Sequence, residues 1–86
     1  MTRSGILTVL ERMNTLQRMR NKYDDRSDEM YSKGDREGSL KLDHKVDLYE
    51  REIQGMEFVL RRLGLGVWKT KDDEWAIPDD DIRRAV

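Results

Sequence analysis

Cysteine is absent from this 86-residue chain, and proline occurs once, at Pro78. Without cysteine there is no disulfide framework and no thiolate metal site, which removes the two usual staples of a small fold. With its one proline so close to the C-terminus, nothing in the preceding residues forbids long helices. Long apolar runs are missing too. None exceeds three residues, as in Phe58-Val59-Leu60, so neither a membrane-spanning helix nor the apolar core of a secretory signal is expected. Together with the missing cysteines this predicts a cytoplasmic home. Charge of one sign is also lacking: 17 basic side chains face 18 acidic ones for a net charge of -1, although 41% of residues are charged. Disorder is favoured by low hydrophobicity joined to high net charge, so balanced charges at this density predict solvated helix faces.

What is present is a spacing. From Leu42 to Leu63, apolar residues fall at Leu42, Val46, Tyr49, Ile53, Met56, Leu60 and Leu63, in alternating steps of four and three. That is the heptad pattern of a helix lying along another helix. The segment from Thr2 to about Ser32 carries Ile6, Val9, Met13, Leu16, Tyr23 and Met30 in a similar register, with Arg20 and Ser27 filling two of its core-facing positions. Thr2 or Ser4 is suited to cap its start. Extending the first register through "SKGDREGS" does not meet the second, and a phase break across Gly34 and Gly38 predicts a turn. Gly34 is expected to end the first helix, and Asp35 or Ser39 to cap the next.

The stretch "YSKGDREGSLKLDHKVDLY" resembles the junction between the two helices of a tetratricopeptide repeat, with a Gly-Asp turn after an aromatic residue. Asp43 stands where that repeat carries a large aromatic side chain, no proline closes the unit near residue 51, and no second copy follows. The resemblance implies a turn and says nothing about peptide binding.

Beyond Leu63 the pattern changes. Gly64 or Gly66 is suited to a left-handed cap, with Arg61 and Arg62 at the negative end of the helix dipole. "VWKT" and "WAI" flank the polar "KDDE" as a β-hairpin signal, and Pro78 followed by three aspartates predicts a short last helix burying Ile82 and Val86. The expected fold is therefore mainly α, one small domain. It comprises helix 1 over about 2–32, a turn at 33–38, helix 2 over about 39–63, a β-hairpin-like appendage at 66–77 and a short helix or tail at 78–86. The two long helices form an antiparallel, coiled-coil-like hairpin, with the apolar ends packed into a head beneath Trp68 and Trp75.

A chain of this size buries only about 60% of the surface its unfolded form exposes. Extra burial is expected from a second copy, which would make a four-helix bundle, or from a foreign protein. Leu7, Met19, Leu48, Phe58, Val59, Trp68 and Trp75 lie outside the seam or near the head and form the candidate partner or dimer surface.

Site chemistry is thin. His44 is the sole histidine and lies between Asp43 and Lys45, and "DDE" (Asp72 to Glu74) and "PDDD" (Pro78 to Asp81) lack the alternating spacing of a calcium loop. No phosphate loop, nucleophile elbow or HExxH motif occurs. No enzyme activity, catalytic residue, metal, cofactor or small-molecule substrate is expected. Residues 1 to 22 hold Arg3, Arg12, Arg18, Arg20 and Lys22 against the single acid Glu11. With Arg61 and Arg62 nearby in a hairpin, this basic end gives a second expectation, contact with nucleic-acid phosphates through Arg3, Arg12, Arg18, Arg61 and Arg62. Pairing with Glu52, Glu57 and the C-terminal aspartates is the plainer expectation. The preferred reading is a non-enzymatic protein-protein interaction module or small regulatory protein. A short, densely charged chain of this kind also resembles the accessory proteins of phages that occlude a host protein.

Overall fold

The computed structural model describes residues 2–84, so the expected burial of Val86 lies outside the described residues. Two long helices, α1 (Arg3–Ser32) and α2 (Arg36–Arg62), pack against each other along their length. A two-stranded antiparallel ribbon, β1 (Trp68–Lys69) with β2 (Trp75–Ala76), and a short helix α3 (Asp79–Arg84) close over one end. The molecule measures 51 × 21 × 16 Å.

Local chemistry explains each boundary. Thr2 is extended, and its hydroxyl accepts a bond from the Gly5 N–H at 3.0 Å, which caps α1. Gly34 has φ +87°, the left-handed conformation that costs glycine nothing, and it ends the helix. The Asp35 N–H bonds the Met30 carbonyl at 2.9 Å and the Gly34 N–H bonds that of Tyr31 at 3.0 Å, the paired pattern of a Schellman cap. Asp35 then caps α2 through the Gly38 N–H at 2.9 Å. One glycine and one aspartate thus reverse the chain, and α2 starts three residues before Ser39, the later of the two expected caps. The second helix ends in the same way. Gly64 has φ +83°, and Leu65 N–H reaches the Leu60 carbonyl at 3.1 Å.

That second cap relocates one residue of the expected seam. Leu63 is half-exposed, because the chain leaves helical geometry there, and Leu65 turns back into the core in its place. The rest of the heptad grades along the hairpin. Ile6, Met13, Leu16, Ile53 and Leu60 are buried with Leu65, Val67, Ile77 and Ile82, while Val9, Tyr49 and Met56 pack at the margin. This is the head. Toward the turn Val46 is buried, but Tyr23, Met30 and Leu42 are only partly covered.

Asp73 in the ribbon turn has φ +59°, a conformation aspartate tolerates better than most side chains. The Thr70 hydroxyl accepts from the Asp72 and Glu74 amides at 3.3 Å each and shapes that turn. Pro78 precedes α3, whose first turn is acidic and whose last turn carries Arg83 and Arg84, both favourable to the helix dipole.

Two glycines of α2 make opposite predictions. A Cβ at Gly38 would meet Asp35 Oδ2 at 2.5 Å and Met30 Sδ at 2.8 Å, whereas one at Gly55 would meet nothing within 4 Å. Gly38→Ala displaces the cap and is expected to cost about 1 kcal/mol. Gly55→Ala removes only the entropic penalty of a helical glycine and is expected to stabilise by about 0.5–1 kcal/mol. Urea denaturation of the two variants checks both signs.

Candidate interaction surface

Polar contacts organise three levels of the hairpin. At the head, the Asn14 carboxamide donates to the Trp75 carbonyl at 3.1 Å and accepts from the Trp75 amide at 2.6 Å. The side chain thus behaves as one residue of a third strand beside β2. The Trp75 indole N–H donates to Gln17 Oε1 at 3.1 Å, Gln17 bonds Asn21 at 3.0 Å, and Asn21 reaches Asp73 at 3.4 Å. Three amide side chains at 14, 17 and 21, on one side of α1, carry the ribbon. Sequence reasoning missed this ladder. Its signal was a row of carboxamides at helical spacing beside the apolar stripe.

At mid-height Arg20 Nε bonds Glu50 Oε1 at 3.0 Å, and the rings of Tyr23 and Tyr49 stack at 5.8 Å between centroids. Near the turn the buried Ser27 hydroxyl lies 2.8 Å from that of Ser39 and 2.5 Å from an Asp43 oxygen. Asp43 and Ser27, each a departure from an apolar pattern, therefore answer each other. Among the described residues no buried side-chain nitrogen or oxygen lacks a hydrogen-bond partner.

A cleft of about 300 Å³ lies between α1, α2 and the ribbon, lined by Gln17, Arg20, Glu50, Gln54, Glu57 and Lys69 among others. Its charges have partners at hand: Arg20 with Glu50, Glu57 with Arg61 at 3.0 Å, and Lys69 with Asp73 at 3.9 Å. His44 is exposed, and among the described residues no group of three or more His, Asp or Glu side chains is placed to hold a metal ion. Within "PDDD", Asp81 accepts from Arg84 at 2.6 Å inside α3 and from the Gly66 amide at 2.8 Å, tying α3 to the segment between α2 and β1. In "DDE", Asp73 shapes the ribbon turn.

The basic residues are distributed rather than pooled. Arg12 lies 3.7 Å from Glu52, and Arg61 bonds both Glu57 and the Val67 carbonyl at 2.9 Å. Arg18 bonds Thr15 at 3.4 Å, Arg62 lies over the Phe58 ring at 5.9 Å, and Arg3 borders a notch with Asp79 and Arg83.

The candidate partner surface divides. Trp75 is half-buried on the head core, held there by Gln17 and Asn14, which takes it off the outer surface; Met19 is half-buried as well. Leu7 and Trp68 are exposed near the head. The outer face of α2 carries Leu40, Leu48, Phe58 and Val59 with 68, 51, 65 and 47% of their surfaces exposed. On a helical projection at 100° per residue they lie opposite the seam, with Gly55 among them. Among the described residues no helix is long and apolar enough to cross a membrane. Comparison with protein-family models, with curated proteins and with solved structures finds no match to this chain.

Removing the clamp is expected to loosen the head selectively. Asn14→Ala leaves the Trp75 amide without its partner, at about 1–3 kcal/mol, and hydrogen exchange at Trp75 should accelerate by at least as much as global unfolding does. Ser27→Ala should instead raise exchange around Ser39 and spare Trp75.

Proposed function

We propose that this chain is a non-enzymatic protein-interaction module, a helical hairpin that binds protein through the outward face of α2. The observation that carries the reading is the exposed row of Leu40, Leu48, Phe58 and Val59 on a molecule whose other large apolar side chains are mostly gathered into the head. Grouped exposed apolar side chains on a small soluble-type surface are the usual mark of a docking face. Helix-on-helix pairing of the coiled-coil kind suits such a row, with homodimerisation or a foreign helix as its two forms. A regulatory or accessory role, including the phage-like occlusion of a host protein, would use this same face. A cytoplasmic home is proposed on the cysteine-free composition. Nucleic-acid binding is the less favoured reading, because Arg12 and Arg61 already have Glu52 and Glu57 within 4 Å.

Leu48→Glu with Val59→Glu tests the proposal. Both side chains are exposed, so folding stability by circular dichroism and urea should move by no more than about 0.5 kcal/mol for each. Binding should be lost, read as self-association by light scattering and as cross-linked capture from an extract of the native host. Equal capture by wild type and variant, or no association of either kind by the wild type, would overturn the reading.

A further inference from the structure

The segment from Gly66 to Arg84 is closely bonded within itself. The Thr70 amide donates to the Glu74 carbonyl at 2.8 Å, Lys69 lies 5.5 Å from the centre of the Trp75 ring, and the Gly66 amide donates to Asp81 at 2.8 Å. The last of these bonds joins the entry of the ribbon to α3, which makes the two elements one body.

The polar attachment of this body to the helical hairpin is one-sided. Asn14, Gln17 and Asn21 hold the ribbon, and all three belong to α1, against which β2 and α3 also pack. Among the described residues neither strand nor α3 packs on the backbone of α2, and the side chains of α2 give the segment one hydrogen bond, from Arg61 to the Val67 carbonyl at 2.9 Å. The cleft of about 300 Å³ lies where a second polar seam would be. Gly64, at φ +83°, and Gly66 flank the joint with α2 and give it the backbone freedom a hinge needs. The hairpin beneath keeps contacts of its own. Arg20 with Glu50, the stacked Tyr23 and Tyr49, and Ser27 with Ser39 and Asp43 are all made between α1 and α2.

We propose that the ribbon and α3 form a strap that swings away from α1 as one unit about Gly64 and Gly66, while α1 and α2 stay paired through their middle and distal turns. In the closed form Val67, Ile77 and Ile82 of the strap share a core with Ile6, Met13 and Leu60. In the open form those three hairpin side chains face water, and the head gains an apolar surface that the closed molecule does not present. The device is separate from the outer face of α2 and stands or falls whatever that face binds.

The chain carries its own probes. Both tryptophans, Trp68 and Trp75, lie in the ribbon, so indole fluorescence follows the strap while far-ultraviolet circular dichroism follows the long helices. In a urea titration of the full chain, the fluorescence transition should precede the dichroic one. Residue-resolved hydrogen exchange in low urea should give Thr70, Trp75 and Ile82 one common protection factor, about tenfold or more below those of Leu16 and Ile53. Ser27→Ala weakens only the distal hairpin, so it should lower protection at Leu16 and Ile53 and leave the three strap amides unchanged. Coincident transitions together with one protection factor for all five amides would overturn the proposal, because the molecule would then open only as a whole. An equal loss of protection at all five in Ser27→Ala would do the same. Unequal protection among Thr70, Trp75 and Ile82 would also overturn it, since the strap would not move as one unit.

Discussion

The double hydrogen bond between the Asn14 side chain and the backbone of Trp75 fixes where the ribbon sits on the head. A two-stranded ribbon with two residues per strand has almost no stability alone. Asn14 supplies a third partner for β2 from the surface of a helix. The ribbon it holds delivers Val67 and Ile77 to the core that Ile6, Met13 and Leu60 begin. The ribbon and the residues beside it cover the apolar ends of the two long helices at the point where they are densest. The clamp therefore couples elements separated by 61 residues in sequence, and it does so with a neutral side chain whose worth is insensitive to salt.

The hairpin is held by different physics at its two ends. Hydrophobic burial dominates the head, whereas the distal half relies on the Arg20–Glu50 pair, the stacked Tyr23 and Tyr49 rings and the Ser27–Ser39–Asp43 cluster. Apolar packing tolerates small slides of one helix along another, since neighbouring methyl groups are nearly interchangeable. Buried hydroxyls do not, because a shifted partner leaves a desolvated oxygen unmatched. The polar distal half thus fixes the register in which the apolar head is packed.

The architecture was legible because its signals are periodic or punctual. The heptad of Leu42 to Leu60, the phase break at Gly34 and the glycine beyond Arg62 each encode a local geometry, and the structure has two long helices, a sharp turn and a ribbon at those positions. Leu63 could not be placed by period alone: whether Leu63 or Leu65 faces inward depends on which residue takes the left-handed cap. The polar contacts were invisible for another reason. Asn14, Gln17 and Asn21 look like ordinary surface amides until the ribbon folds over them, and Ser27 reads as a flaw in a stripe until Ser39 and Asp43 arrive from α2. Such contacts are set by tertiary pairing, which one-dimensional spacing does not carry. The outer face of α2 was partly legible, with Leu48, Phe58 and Val59 outside the seam, but the openness of Gly55 required the surrounding atoms.

The tight three-residue reversal at Lys33–Asp35 also bears on how the chain finds its shape. Joining Ser27 to Ser39 closes a loop of 12 residues, whereas joining Asn14 to Trp75 closes one of 61. Closure entropy grows with the logarithm of loop length, so the first contact is cheaper by about 1.4 kcal/mol. The end of the molecule with the thinner core is therefore the end at which assembly is easiest to begin. Loop-closure entropy thus favours zipping of the helices from the turn before docking of the ribbon, an order opposite to the gradient of burial.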